Sequence, residues 1–247
     1  MRKLIVVGSS INPSSTRLTY SEKRTFFSPE ERFRQSFFTL NSLRNCFPDS
    51  KIVFVDSSEN YAEYLHLFAM FKDVEFIPLK ELSYDAFLMA NNNTNKSACE
   101  SALLNAYYLQ YKKQILEYDV LIKTTGRYFY FDVNDASITH DEIYFKKPLN
   151  FEWNDSWRYE WIDKRKEQNN NKIYQYCTVM YAFGTKHLDK FIDMNEAAIH
   201  LLNQNPMHHY DIETLSYYFT RPFKDLITEV DWKVSGWDGV SGRLMYY

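Results

Sequence analysis

The first 78 residues alternate short apolar runs with segments of helical periodicity. The apolar runs at residues 4–7, 51–55 and 74–78 have the length of buried strands. Residues 28–43 and about 59–71, which lie between these runs, repeat apolar side chains at helical spacing. Parallel strands need a long crossover, which is usually a helix. The alternation therefore predicts an α/β fold with a mostly parallel central sheet flanked by helices.

The first predicted helix carries a full set of start signals. Ser28 can cap the helix, Pro29 suits the first helical position, and Glu31 completes a capping box. Pro48 ends the pattern. These local signals predict a helix that begins at residue 29.

The rest of the chain yields fewer clear elements. Further helices are predicted over residues 97–116, 184–202 and 211–219, and further strands over residues 120–122, 176–183 and 226–230. Residues 131–171 have no clear pattern, although Trp153, Trp157 and Trp161 recur every four residues, which predicts a short helix. With no internal repeat and no linker composition, a single domain over residues 1–247 is predicted.

The apolar run at residues 120–122 leads into a polar cluster, Lys123-Thr124-Thr125-Gly126-Arg127-Tyr128. Open α/β sheets bind ligands at the carboxyl ends of their strands. Lys123 and Arg127 are costly at such a place unless an anion meets them, and an arginine fork matches phosphate oxygens. Gly126 permits close backbone approach. We predict a phosphate-bearing ligand at this strand end; the alternative is that both cations pair with carboxylates of the same domain.

A second polar loop follows the first predicted strand. It opens with Gly8-Ser9-Ser10 and runs to Phe27 without the glycine pattern of a P-loop or a dinucleotide-binding fold. Long loops in compact domains are usually functional or disordered. Ser9, Ser10, Arg17 and Arg24 are therefore candidate contacts of a nucleotide, and the alternative is that the loop only connects two elements.

An acidic pair precedes the last predicted helix. Asp211 suits the positive end of the helix dipole, so a capping role is the alternative to a catalytic one. Glu213 can instead enter a cleft as a general base. The preceding His208-His209 does not have the spacing of a zinc site.

The C-terminal segment concentrates glycine. Three of the six glycines fall between Gly236 and Gly242. Glycine so dense predicts tight turns or a backbone close to a ligand, and Trp237 within this segment could stack on a sugar or a base. The alternative is a surface loop.

Composition and charge exclude several classes of function. A net charge of −3 and a pI near 6.1 predict no broad basic face, so no nucleic-acid partner is expected. Cys46, Cys99 and Cys177 are odd in number and far apart, which argues against disulfides and thiolate metal sites and favours a reducing compartment. No apolar run reaches the length of a membrane span. A cytoplasmic protein is predicted, and a peripheral position at the inner membrane face stays open.

These residues resemble the layout of bacterial GT-A-type glycosyltransferases, which build surface polysaccharides such as lipopolysaccharide and capsule. The resemblance covers most of the chain as an order of features rather than as close identity. Gly8-Ser9-Ser10 looks like the nucleotide loop, Lys123 to Tyr128 like the strand end that holds the sugar diphosphate, and Asp211-Ile212-Glu213 like the acidic segment near the acceptor. The resemblance implies a nucleotide-sugar-binding half over residues 1–135 and an acceptor-binding half over residues 136–247.

The resemblance also implies a reaction, in which a sugar moves from a nucleotide-sugar donor to a glycan or lipid-linked acceptor. Glu213 would deprotonate the acceptor hydroxyl if the reaction inverts, with Asp211 as the second choice. The implied donor contacts are Ser9, Ser10 and Arg24 on the nucleotide, and Lys123, Gly126, Arg127 and Tyr128 on the diphosphate.

One departure from this family concerns the metal. Many GT-A enzymes bind manganese or magnesium through Asp-x-Asp, and this sequence contains no such motif. Its nearest approximations are Asp132-Val133-Asn134-Asp135 and Asp211-Ile212-Glu213. Either fewer carboxylates hold a divalent metal, or Lys123 and Arg127 stabilise the departing diphosphate without one, which we favour.

Two other classes of function stay open. A sulfo- or nucleotidyltransferase would also bind a phosphate-bearing donor, but its phosphate loops are ordinarily richer in glycine near the N-terminus than this chain is. A non-catalytic carbohydrate-binding module would use the abundant aromatic residues, 20 Tyr and 19 Phe, as its surface. The second class would leave Lys123 and Arg127 without a role.

Overall fold

The computed structural model describes residues 1–19, 21–133, 135–152, 172–204 and 211–246. The strands in these ranges are β1 (Lys3–Ser9), β2 (Lys51–Asp56), β3 (Val74–Pro78), β4 (Val120–Thr125), β5 (Tyr128–Asp132), β6 (Ile143–Lys146), β7 (Leu149–Glu152), β8 (Lys172–Gln175), β9 (Met180–Gly184), β10 (Ile227–Val230), β11 (Lys233–Trp237) and β12 (Leu244–Tyr246). The helices are α1 (Pro29–Cys46), α2 (Tyr61–Leu65), α3 (Leu79–Leu82), α4 (Tyr84–Asn92), α5 (Lys96–Gln110), α6 (Lys112–Ile115), α7 (Leu188–Gln204) and α8 (Ile212–Phe219).

A seven-stranded sheet forms the centre of the domain, in the order β10-β6-β9-β4-β1-β2-β3. Strands β4, β1, β2 and β3 are parallel neighbours, and β6 pairs in parallel with β10. Strand β9 runs antiparallel between β4 and β6. The prediction of one α/β domain with a mostly parallel central sheet is confirmed, with one reversed strand that makes the sheet mixed.

Helices and a small sheet cover the two faces of this central sheet. Along β1, Leu4 and Val6 face a core built with α5 and α7, whereas Ile5 and Val7 face a core built with α1. The antiparallel sheet β12-β11-β5 adds to the second layer. Because β1 is buried on both faces, its sequence is a continuous apolar run rather than an alternating one.

Helix α1 begins as its sequence signals predict. Ser28 is the N-cap, its hydroxyl accepts a hydrogen bond from the Glu31 backbone N–H, and the Glu31 carboxylate accepts one from the Ser28 N–H. Pro29 occupies the first helical position. Local capping chemistry is sufficient to set this boundary.

Three predicted elements are shorter than expected. The helix over residues 59–71 is limited to α2 and one 3₁₀ turn, His66–Phe68, and the Phe68 ring lies 4.6 Å from the ring of Phe76. The helix over 97–116 divides at Tyr111 into α5 and α6. The strand over 176–183 begins only at β9. The helix proposed around Trp153, Trp157 and Trp161 lies outside the described residues.

Residues 131–152, for which the sequence predicted no element, contribute short strands. Strand β6 joins the central sheet, and β7 forms a two-stranded hairpin with β8. None of the described helices is long and apolar enough to cross a lipid bilayer.

Candidate active site

Three polar loops meet at one edge of the central sheet. The register of β1 places Ser9 opposite Asp56 of β2 and Gly8 opposite Thr125 of β4. The Ser57 N–H donates to the Ser9 carbonyl at 3.0 Å, and the Gly126 N–H donates to the Gly8 carbonyl at 3.1 Å. The carboxyl ends of β1, β2 and β4 therefore converge, which is where open α/β sheets bind ligands.

A cleft of about 110 Å³ opens at this edge. Of the predicted contact residues, Ser9, Ser10, Arg24, Gly126 and Arg127 line it, together with Thr125, Ser57 and Gly239. Gly126 meets the requirement for a small residue, because a Cβ added there would lie 3.0 Å from the Ser9 hydroxyl. The cleft thus combines the loop after β1 with the end of β4.

Four basic side chains line the cleft, namely Arg24, Arg32, Lys96 and Arg127. Among the described residues, none of the four forms an ion pair with a carboxylate within 4.0 Å. Partly buried cations without a carboxylate are unfavourable on their own. Their convergence indicates a site for an anion.

The four side chains differ in the donors that they leave free. Both terminal nitrogens of Arg24 are taken: Nη1 donates to the carbonyls of Thr16 and Asn93, and Nη2 to the Ala90 carbonyl and the Cys99 thiol. Arg24 therefore fastens the loop after β1 to the α4–α5 junction, and contributes charge to the cleft rather than hydrogen bonds.

Arg32, Lys96 and Arg127 keep hydrogen-bond donors available. Arg32 donates from Nε to the Ser10 carbonyl and from Nη1 to the Thr25 hydroxyl, and its Nη2 has no acceptor within the described part of the chain. Burial and the neighbouring Arg127 lower the pKa of Arg32 to about 9 and the pKa of Lys96 to about 8. Burial is the larger cause of both shifts, and a bound anion would relieve the smaller one, the repulsion from Arg127.

Lys123 differs from its predicted role. Its side chain is fully buried, and its ammonium pairs with the Glu100 carboxylate and donates to the Thr178 carbonyl at 2.5 Å. Lys123 therefore forms an ion pair within the domain, which is the alternative given for it in the sequence analysis. Its geometry gives no support to a direct contact with phosphate. Strand β4 extends two residues beyond Lys123, so the side chain lies inside the sheet rather than at its end.

Tyr128 also lies away from the cleft. Its side chain is buried beneath the small sheet, where a Cβ added to Gly236 would overlap the Tyr128 ring. Arg17 points into solvent, 3.9 Å from Glu22. Neither side chain is placed to touch a ligand of the cleft.

Glu100 is the single carboxylate among the described cleft-lining residues. Burial on its own would raise the pKa of this carboxyl, but the ion pair with Lys123 and the nearby Lys96 and Arg127 hold the pKa below its usual range. Glu100 is therefore ionised, one helical turn after Lys96 on α5.

Glu213 and Asp211 sit behind Glu100, at the start of α8. Asp211 is the N-cap of the helix and accepts a hydrogen bond from the Thr214 N–H at 2.6 Å. The Thr178 hydroxyl donates to Glu213 at 2.9 Å, and the Thr178 carbonyl accepts from Lys123, so Thr178 links the two sites. Burial, with Asp211 and Glu100 acting in the same direction, raises the pKa of Glu213 to about 7.

The glycine-rich C-terminal segment forms a turn that packs on Arg127. The Phe26 N–H donates to the Gly239 carbonyl at 2.8 Å, which ties this turn to the loop after β1. A methyl group added to Gly239 would overlap the Arg127 guanidinium. Trp237 packs edge-on against Phe129 at 5.1 Å rather than facing the cleft.

Substitution of Gly239 tests whether this turn places Arg127. Gly239→Ala is expected to displace the Arg127 guanidinium, a flexible group, with little loss of stability but a several-fold weaker affinity for nucleoside diphosphate. Isothermal titration and thermal melting measure the two effects separately. Ser241→Ala in the same turn is the control, and equal affinities of the two variants would show that the turn does not position Arg127.

The donor set of the cleft does not fit a divalent metal. Divalent cations take carboxylate oxygens as ligands, yet the one carboxylate that lines this cleft, Glu100, is already paired with Lys123 and stands among four cations. Within the described ranges, no group of three His, Cys, Asp or Glu side chains is placed to hold a metal ion. The residues present suit an anion directly.

Sequence reasoning missed Arg32, Lys96 and Glu100. Arg32 begins a polar stripe on the buried face of α1, with Gln35, Ser36 and Thr39, where helical spacing would ordinarily place apolar side chains. Lys96 occupies the first turn of α5, which the helix dipole disfavours for a cation. Both departures from local preference were readable signals of function.

The α/β fold of this chain is similar to that of solved glycosyltransferases. No family model and no curated protein matches the sequence. The galactosyltransferase LgtC, solved in complex with donor and acceptor sugar analogues, matches with a TM-score of 0.50 at 10% identity, over 94% of this chain and 73% of LgtC. Mouse xyloside xylosyltransferase 1, in its apo form, matches with a TM-score of 0.48 at 10% identity, over 93% of this chain and 84% of that protein. The likeness to LgtC agrees with the fold class predicted from the sequence.

Proposed function

We propose that the protein transfers a glycosyl unit from a nucleotide-sugar donor to a glycan or lipid-linked acceptor. The observation that carries this proposal is the cleft at the carboxyl ends of β1, β2 and β4, lined by four basic side chains that lack carboxylate partners among the described residues. A diphosphate supplies the missing negative charge. The fold shared with glycosyltransferases supports the choice of a nucleotide-sugar over other phosphate-bearing ligands.

The donor would lie mainly on residues 1–135 and the acceptor on residues 136–247. Arg127, Arg32 and Lys96 would bind the diphosphate, because they retain free hydrogen-bond donors. Ser9, Ser10 and Gly126 would contact the nucleotide through hydroxyl and backbone groups. Arg24 would hold the loop after β1 in place.

In the proposed reaction, the acceptor oxygen forms a bond to the anomeric carbon as the bond from that carbon to the diphosphate breaks. Glu213 takes the proton of the acceptor hydroxyl in an inverting displacement, and Asp211 is the second choice. The departing nucleoside diphosphate carries the developing charge, which the fixed cations of the cleft stabilise. A retaining reaction would not require this base.

The acceptor would belong to a surface polysaccharide such as lipopolysaccharide or capsule, and the protein would act in the cytoplasm at the inner face of the membrane. This assignment of acceptor and location is supported by the order of features along the chain, which resembles that of bacterial GT-A-type glycosyltransferases.

Thermal melting with nucleoside diphosphates tests the proposal. A ligand that binds only the folded state stabilises it by about 2.7 kcal/mol at a hundredfold excess over its Kd, so UDP or GDP is expected to raise the melting temperature. The shift is expected to persist with EDTA in place of manganese. Absence of a shift with every nucleotide would favour the carbohydrate-binding module instead.

Arg127→Ala is expected to remove most of this stabilisation. Loss of hydrogen bonds from a charged group costs roughly 1.5–3 kcal/mol, or about 10- to 150-fold in affinity. Titration calorimetry with the nucleotide that binds the wild type measures the change. Arg17→Ala is the matched control, because that guanidinium faces solvent; a similar affinity in both variants would contradict the proposed phosphate contact.

A further inference from the structure

Glu100 has an unusual position for a carboxylate. It lines a cleft otherwise rich in cations, and about a quarter of its side chain, 24%, remains exposed. Its Oε1 atom pairs with the buried Lys123, whereas Oε2 has no hydrogen-bond donor among the described residues. Glu100 therefore lines the cleft with a carboxylate whose second oxygen is not engaged by any described residue.

A free carboxylate oxygen restricts which part of a ligand can lie beside it. It repels phosphate, so the diphosphate must lie towards Arg127 and Arg32. An ionised carboxylate only accepts hydrogen bonds, and the donors next to the diphosphate on either side are hydroxyls, because the N–H groups of the base lie beyond the ribose. Two parts of such a ligand carry vicinal hydroxyls, the ribose and the transferred sugar.

The surroundings of Glu100 distinguish these two parts. Lys123 bonds to both Glu100 and the Thr178 carbonyl, and the Thr178 hydroxyl bonds to Glu213. Glu100 therefore lies on the side of the cleft that leads to Glu213. The ribose would instead lie towards Ser9 and Ser10, after β1.

We infer that Glu100 accepts hydrogen bonds from the hydroxyl groups of the transferred sugar, and so determines which sugar the cleft takes. This inference rests on the proposed function. Lys123 then acts as a positioning residue, because its buried ammonium holds the Glu100 carboxylate at the wall of the cleft. Lys123 was expected from the sequence to contact phosphate, and it pairs with Glu100 of α5 instead.

The test compares two affinities in each variant, one for the nucleoside diphosphate and one for its sugar conjugate. UDP is paired with UDP-glucose and UDP-galactose, and GDP with GDP-mannose; the pair used is the one whose diphosphate binds the wild type. Glu100→Gln is expected to weaken binding of the sugar conjugate at least tenfold relative to the diphosphate alone. Affinity for the diphosphate should stay within about twofold or increase, because a repelling charge is removed.

A second variant separates loss of sugar recognition from misfolding. It is needed because Glu100→Gln leaves the buried Lys123 without its counter-charge. The double variant Lys123→Met with Glu100→Gln removes both charges, and the same selective loss of the sugar conjugate is expected. Glu117→Gln, on an exposed carboxylate beyond α6, is the control and should change neither affinity.

The remaining outcomes overturn the inference in distinguishable ways. Unchanged affinities for both the diphosphate and its sugar conjugate would remove Glu100 from sugar recognition and leave the phosphate cleft standing. An equal loss for the diphosphate and its conjugate assigns Glu100 to the ribose or to the structure of the cleft. Failure of every nucleotide to bind the wild type overturns the proposed function, and this inference with it.

Discussion

Glu213→Gln is expected to lower turnover by roughly 10²- to 10⁴-fold, the range for loss of a general base, while nucleotide affinity stays unchanged. In the wild type, kcat/KM should rise with pH and level off above about 7, since burial and the neighbouring Asp211 and Glu100 raise the pKa of Glu213 to about 7. The variant should lack this rise. Initial rates with a sugar acceptor across pH 5.5–8.5 measure both effects.

The same raised pKa has a consequence for stability. A folded-state pKa above the ordinary 4.5 means that the folded protein binds this proton more tightly than the unfolded chain. Protonation of Glu213 therefore stabilises the folded state fully below pH 4.5, and this stabilisation is lost as the pH rises through 7. Wild type should therefore lose roughly 1–3 kcal/mol of unfolding free energy from this group over that range, and Glu213→Gln should not.

Glu196→Gln, on an exposed position of α7, is the control for both measurements. Urea unfolding at pH 5 and pH 8 compares the three proteins. Full turnover in Glu213→Gln would exclude it as the base, and the same experiments on Asp211→Asn would then follow.

Lys123→Met is expected to lower the free energy of unfolding by roughly 3–5 kcal/mol, the cost of breaking a buried ion pair by removing one partner. The substitution keeps the volume of the side chain but leaves the Glu100 carboxylate without its counter-charge. Urea unfolding near neutral pH measures the loss. Adding Glu100→Gln should recover part of it, because no unpaired charge then remains.

An exposed ion pair supplies the matched control for Lys123. Lys51 and Glu75 lie 3.0 Å apart on β2 and β3, with more than a third of each side chain exposed. Lys51→Met should cost less than about 1 kcal/mol. Equal losses in the two lysine variants would show that burial does not strengthen the Lys123 pair, and would weaken its role in positioning Glu100.

Local patterns predicted the architecture that positions the site. The apolar runs of β1, β2 and β3 and the capping box at Ser28 specify their own elements through short-range chemistry. The sequence predicted the β1 loop and the segment with Gly126 and Arg127 as separate ligand contacts. The pairing of β1 with β4, which brings the two together, is seen only in the tertiary structure.

The direction of Lys123 did not follow from the sequence in the same way. The apolar run ends at Ile122, but β4 continues to Thr125, so Lys123 takes part in the alternation of the strand. Leu121 faces the core beneath α5, and Lys123, two residues later, faces the same side. Its partner Glu100 comes from a helix 23 residues earlier, a contact that no local pattern reports.

The remaining cations belong to helices rather than to strand ends. Arg32 and Lys96 reach the cleft because α1 and α5 pack on opposite faces of the sheet and both extend to its ligand-binding edge. A prediction based on strand ends alone does not include Arg32 and Lys96, because their proximity to the cleft depends on how α1 and α5 pack on the sheet.

The direction of β1 has a practical consequence for immobilised binding measurements. The strand begins at Lys3 and reaches the cleft at Ser9, so residue 1 lies on the far side of the sheet, about 20 Å away, and Met1 is exposed. A biotin tether at the amino terminus would leave the cleft open to flowing analyte on a sensor chip. Strand β12 runs from the turn that carries Gly239 to Tyr246, which lies opposite Ser235.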